Sequence, residues 1–108
     1  MIMKLYIKRR DNSIDAALEY DSEKNSYTVL KGSKVSNSIT MDKKFRSAGS
    51  IEKARSNGVV VNCIVTENVV FKSASTAANF VTGTSTNGKI AWKDENGKSL
   101  KEIQAEEI

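Results

Sequence analysis

Ile14-Asp-Ala-Ala-Leu-Glu-Tyr20, then Asp21-Ser-Glu-Lys-Asn25, then Ser26-Tyr-Thr-Val-Leu30, is the stretch that decides the fold. Ile14, Ala16, Leu18 and Tyr20 alternate with Asp15, Ala17 and Glu19. Period two sends successive side chains to opposite faces, which describes a half-buried strand. Asp21 to Asn25 is polar and charged, as a hairpin loop requires, and Ser26–Leu30 returns rich in β-formers. Upstream, Met3-Lys-Leu-Tyr-Ile-Lys8 reads as a first strand, and Arg9 to Ser13 as the polar turn that follows it. The first thirty residues therefore predict an antiparallel meander.

Outward from the meander, Lys31-Gly-Ser-Lys-Val-Ser36 suits a tight exit from a strand, and Asn37 to Thr40 offers helix caps. Met41, Phe45, Ala48, Ile51 and Ala54 fall at helical spacing, so a helix is expected over 41–57, weakened at Gly49 and stopped by Asn57-Gly58. Val59 to Val65 reads as one strand, Thr66 to Asn68 as a turn, and Val69 to Lys72 as another strand. Ser73 or Ser75 caps a helix through Ala77, Ala78, Phe80 and Val81 that ends at Gly83. A small-residue loop, Thr84 to Lys89, leads to a short strand, Ile90 to Lys93, and a turn, Asp94 to Gly97. Ser99-Leu-Lys-Glu102 has capping-box spacing and opens a last helix. The expected architecture is a single α+β domain over 1–108: a mostly antiparallel sheet of about five or six strands packed with two or three helices. The expected core is Leu5, Ile7, Leu18, Tyr27, Val29, Phe45, Ile51, Val59, Val61, Ile64, Phe71, Ala77, Phe80, Val81 and Trp92.

Composition narrows the chemistry. The 108 residues are 39% hydrophobic and 28% charged, enough for one core and too balanced for a disordered tail. No His is present, which excludes a His general base, a His triad and His-ligated metal. One Cys excludes a disulfide framework and a CxxC zinc site within one chain. The longest strictly apolar runs, such as Val59–Val61, are three residues, against about 20 for a membrane helix. The first residues place apolar side chains before the basic cluster, the reverse of a secretory leader. A cytoplasmic location with Cys63 reduced is the expectation. Seventeen Lys and Arg against thirteen Asp and Glu give +4. Residues 1–46 carry ten basic and six acidic side chains, so the whole excess lies there, and residues 47–108 carry seven of each. A basic half points to a polyanion, with nucleic acid the usual candidate.

The C-terminal run Ser73-Ala-Ser-Thr-Ala-Ala-Asn-Phe-Val-Thr-Gly-Thr-Ser-Thr-Asn-Gly-Lys-Ile-Ala-Trp-Lys-Asp-Glu-Asn-Gly-Lys-Ser-Leu100 is similar to the signature of the DUF4357 family. There a Ser-rich cap and a small-residue helix lead to Gly, then Asn-Gly, then Trp-Lys, then a Gly-Lys-Ser/Thr-Leu ending. Val29-Leu-Lys-Gly-Ser-Lys-Val-Ser36 resembles the segment that opens the same domain, and Arg55-Ser-Asn-Gly-Val59 its middle helix stop. The resemblance spans roughly 27–103, with 1–26 as an N-terminal hairpin extension and 104–108 as a tail. Ala74, Thr84 and Lys89 depart from the Pro, Arg and aromatic residues that commonly stand there. The resemblance implies an accessory domain, found beside GIY-YIG nuclease-like proteins and restriction-modification methylases. The 26 residues upstream of the resemblance are too short for a nuclease or methylase, so any partner enzyme is expected to act in trans.

Three groups of residues are candidates for contact with a polyanion. Lys31, Ser33 and Lys34 flank a glycine, a combination that holds phosphate; it lacks the spacing of a nucleotide P-loop, and its plainer reading is a turn with solvated lysines. Lys43, Lys44 and Arg46, with Lys53 and Arg55 nearby, decorate the expected helix and suit a duplex face or a plain solvated one. Ser75 at a helix start, and Asn87 and Lys89 in the following loop, can reach a phosphate or a base edge, or simply cap and turn. Trp92 suits base stacking or, better, a core position over the Ala77-Ala78-Phe80 helix. No nucleophile–base pair and no converging metal ligands are visible. The resulting expectation is a non-catalytic accessory module, without cofactor and without a membrane, that binds nucleic acid, DNA first. The alternative is a protein-interaction module that docks to a separate nuclease or methylase.

Overall fold

The meander forms as its alternation requires. In a computed structural model, which describes residues 2–40 and 48–106, strand β1 (Ile2–Lys8) pairs antiparallel with β2 (Asp15–Asp21), and β2 with β3 (Ser26–Val29). The turns use the residues that tolerate a left-handed backbone: Asn12 at φ 61° and Asn25 at φ 51°. Asp21 Oδ1 accepts the backbone N–H groups of Glu23 and Lys24 and so ties the second turn. Strand β4 (Val60–Val61) and β5 (Ile64–Val65) make a separate hairpin, and β6 (Val69–Phe71) completes the main sheet in the order β1-β2-β3-β6. Among the described residues the helices are α1 (Ala48–Arg55), α2 (Ala74–Thr82), α3 (Gly88–Ala91) and α4 (Leu100–Glu106). The protein is thus a single α+β domain with a four-stranded antiparallel sheet and a two-stranded annex. No described helix is long and apolar enough to cross a membrane.

One face of the sheet carries Leu5, Ile7, Ala16, Leu18, Tyr20, Tyr27 and Val29, all buried. Tyr20 and Tyr27 stack with ring centroids 5.1 Å apart, and Gln104 Nε2 of α4 donates to the Tyr20 hydroxyl at 3.3 Å. Helix α2 packs on β3 and β6 with Ala77, Ala78, Phe80 and Val81 fully buried. Ser73 is its N-cap, accepting the Thr76 N–H at 3.0 Å, and Gly83 ends it at φ 74°. Ser99 accepts the Glu102 N–H at the start of α4, the contact expected of that spacing. Trp92 is fully buried, with its indole N–H donating to the Ala74 carbonyl at 3.1 Å, so the core reading of that residue is correct.

Two of the expected elements fail. Val59–Val65 is not one strand. Asn62 (φ 50°) and Cys63 (φ 66°) are both left-handed and form the two-residue turn of the β4–β5 hairpin, a type I′ arrangement. A continuous apolar run hides a two-residue turn, and the consequence is that Val61 and Ile64 are 50% and 39% exposed instead of core. Val59 and Phe71 are only half-buried. Ile90–Lys93 is not a strand either: Gly88–Ala91 makes a helical turn capped by Asn87, and only Lys93 bridges to the sheet. The helix expected over 41–57 is described only as Ala48–Arg55, with Ala48 and Ile51 buried as its spacing requires. Phe45 and the first part of that helix lie outside the described residues.

Candidate nucleic-acid interface

Strand β1 alternates Lys4-Leu5-Tyr6-Ile7-Lys8. Leu5 and Ile7 are buried under the helices, so Lys4, Tyr6 and Lys8 stand on the opposite face. Residues directly across a ladder share a face. The register therefore sets Lys4 beside Glu19, Tyr6 beside Ala17 and Lys8 beside Asp15. Two single-residue bridges extend these rows. Lys93 pairs with Tyr6 on the outer side of β1, through Tyr6 N–H to Lys93 O at 2.7 Å and Lys93 N–H to Tyr6 O at 3.1 Å. Lys34 pairs with Asp15 beyond β2, through bonds of 3.0 and 2.8 Å.

The turn after β3 makes the second bridge possible. The Ser33 N–H donates to the Leu30 carbonyl at 3.1 Å, and Gly32 takes φ 91°, which a residue with a β-carbon adopts only under strain. The chain loops out for residues 31–33 and returns to β2 at Lys34. Ser33 fills the gap in the ladder: its hydroxyl accepts the Ala17 N–H at 3.0 Å. Lys31 stays exposed and lines a cleft of about 270 Å³ with Lys4, Tyr6, Lys8, Asp15 and Ser33.

The result is a half-buried tyrosine ring with Lys4, Lys8, Lys31 and Lys93 around it, and with Lys34 farther across the same face, beyond Asp15 of β2. The Lys8 ammonium lies 5.0 Å from the Tyr6 ring centroid. Arg9 lines a larger groove, about 510 Å³, that opens between Tyr6 and α3. Asp15 and Glu19 share the face, and Asp94 and Glu95 line the groove, so the surface is modestly positive. Asp94 is engaged in its own turn, accepting the N–H groups of Asn96 and Lys98 at 2.9 Å. Among the described residues, none of the five lysines comes within ion-pair distance of a carboxylate.

The residues singled out from the sequence have separate fates. Lys31 and Lys34 meet on this face. Ser33 lines the floor of the same cleft but is only 5% exposed, and its hydroxyl is engaged by the Ala17 N–H inside the sheet, which argues against its reading as a phosphate donor. Ser75, Asn87 and Lys89 gather at the α2–α3 junction and line none of the grooves around Tyr6. Ser75 Oγ accepts the Gly88 N–H at 3.2 Å, and Asn87 Oδ1 accepts the Lys89 N–H at 3.1 Å, so both side chains hold the junction together. Lys43, Lys44 and Arg46 lie outside the described residues. Arg55 is no surface charge. Its guanidinium is half-buried and donates to the carbonyls of Phe80, Val81 and Ser36 and to Ser36 Oγ, clamping α1 to the end of α2. Burial pulls its pKa below the usual arginine range. Lys4, Tyr6, Lys8 and Lys93 were not candidates at all. The signal for the first three was present in the period-two pattern of residues 4–8; Lys93 joins them only through a bridge between residues 87 apart in sequence.

A family model described as a domain of unknown function, DUF4357, matches residues 5–104. No curated protein and no solved structure matches the chain. The match reaches upstream of the motif-bearing residues 27–103 and takes in Tyr6, Lys8 and the whole lysine face except Lys4. With nearly the full length inside that match, the chain belongs to the DUF4357 family.

Proposed function

We propose that this domain is a non-catalytic nucleic-acid-binding module that works through the open face of β1 and β2, in the cytoplasm and on DNA beside a separate nuclease or methylase. The observation that carries the reading is the set of lysines on one sheet face, Lys4, Lys8, Lys31, Lys34 and Lys93, which make no ion pair among the described residues and share that face with the half-buried Tyr6 ring. Lysines spread over a sheet face suit a chain of phosphates, which they contact without reading sequence. The acids on the same face keep the affinity moderate and the salt dependence shallow.

The test is fluorescence anisotropy of labelled DNA, single-stranded and duplex, at two salt concentrations. Binding in the micromolar range that weakens with salt is expected, with a slope of about −0.7 to −0.9 per phosphate neutralised. The double variant Lys31→Glu/Lys34→Glu weakens binding with its unfolding midpoint little changed, because both side chains point away from the core. Absence of binding to either DNA at low salt overturns the reading. The docking alternative rests on Ile2 and Val70, 65% and 66% exposed, which line one cleft of about 380 Å³ further along the same face. Co-purification with an enzyme that survives high salt and is lost in Val70→Lys favours that alternative.

A further inference from the structure

Resting on the nucleic-acid reading, we infer that the ligand is a single-stranded polynucleotide, one of whose unpaired bases stacks on Tyr6 while its flanking phosphates lie on the lysines. Three adjoining depressions, of about 510, 420 and 270 Å³, have Tyr6 as their common wall. The largest lies within the range of small-ligand clefts, about 300–1,000 Å³. It offers a base an apolar flank at Ile90, which is 52% exposed, and cations at Arg9, Lys8 and Lys93 on its rim.

A face built only to touch phosphates has no use for an aromatic ring at its centre. The ring is useful when a base presents its π-face, and in a duplex both faces of every base are covered by its neighbours. An unpaired base is free to stack. The Lys8 ammonium that sits over the ring belongs to an exposed, flexible side chain, so a base displaces it toward the adjoining phosphate. The strand edge beside the ring adds hydrogen-bonding groups. Tyr6 directs its N–H and C=O to Lys93, and Lys8, two residues on, directs its own the same way. The Tyr6 groups are taken by Lys93; among the described residues no strand pairs with β1 beyond Lys93, so the N–H and C=O of Lys8 are left on the open edge beside the groove that Lys8 lines.

The experiment compares an oligothymidylate of about 20 nucleotides, an oligouridylate of the same length, and the thymidylate annealed to its complement, each titrated with the whole chain at one salt concentration. Both single strands are expected to bind more tightly than the duplex; the difference between them identifies the preferred sugar. Tyr6→Phe keeps the affinity for single strands. Tyr6→Ala lowers it about 5- to 150-fold, the range that loss of one stacked base gives, with the salt slope unchanged. Tyr6→Leu keeps the bulk of the side chain and removes the π-system, and it shows the same loss if stacking is the cause. Duplex bound as tightly as the single strands overturns the inference and leaves nucleic-acid binding standing, as does unchanged single-strand affinity in Tyr6→Leu. No binding to any of the three probes overturns the underlying reading instead.

Discussion

Replacing Gly88 by Ala is expected to destabilise the protein although it puts a better helix former into a helix. Gly88 is the first residue of α3 and lies against the first turn of α2. A β-carbon there falls 2.2 Å from both the carbonyl carbon and the oxygen of Ala74. Those are backbone atoms and cannot swing aside, so α3 has to retreat by roughly 1 Å or the chain has to strain, at about 1–3 kcal/mol. The same Ala74 oxygen accepts the buried indole N–H of Trp92 at 3.1 Å, and the Gly88 N–H donates to Ser75 Oγ at 3.2 Å. Retreat of α3 weakens both, at about 1 kcal/mol each. The gain from replacing a helical glycine, about 0.5–1 kcal/mol, offsets part of this. The net loss is about 2–4 kcal/mol, against a total of roughly 5–15 kcal/mol for a domain of this size. Urea unfolding followed by the fluorescence of Trp92, the single tryptophan, measures it at the perturbed place. Gly49→Ala is the control, since a β-carbon there meets nothing within 4 Å and φ is not positive. That variant is expected to gain up to about 1 kcal/mol. If Gly88→Ala is as stable as the natural protein, the close approach of α3 to α2 is wrong.

Two further substitutions test the reading of particular turns. Ser33→Ala leaves the Ala17 N–H without its partner in a part-buried stretch of the sheet, and a loss of about 1–3 kcal/mol in chemical denaturation is expected, with affinity for DNA unchanged. A fall in affinity without a fall in stability restores Ser33 as a ligand contact. Cys63→Gly relieves a left-handed residue with a β-carbon and makes the Asn-Gly pair that a two-residue hairpin favours, so the thermal midpoint rises, by about 0.5–1 kcal/mol in stability. The Cys63 Sγ contact to Asn37 Oδ1, at 3.5 Å, is too weak to reverse the sign. A variant less stable than the natural protein refutes the turn geometry.

The local physics of this chain is legible residue by residue. Alternation over 14–20 makes a strand, Ser73 and Gly83 bound a helix, Ser99 and Glu102 start another, and the apolar side of each is buried as its period requires. These features depend on neighbours within a few positions, so the sequence by itself determines them. Where it misleads, a short segment satisfies two periodicities. Val59–Val65 has the composition of a strand and Ile90–Lys93 looks like another, and neither run is long enough for period alone to separate strand from turn or helix. Tertiary contact decided both: β4 folds back on β5, and α3 packs where Gly88 allows the closest approach to Ala74.

The candidate site divides along the same line. Lys31 and Lys34 stand out in sequence because a glycine turn separates them, and Ser33 stands out with them. Only the tertiary structure shows that the Ser33 hydroxyl is buried and engaged by the Ala17 N–H while the two lysines reach the face that holds Tyr6. Lys4, Tyr6 and Lys8 follow from period two once β1 is known to bury Leu5 and Ile7. Lys93 has no local signal, because its place beside Tyr6 comes from two backbone hydrogen bonds across 87 positions. Charge and period are properties of the string; which charges meet is a property of the register, which long-range hydrogen bonds and the burial of one sheet face impose.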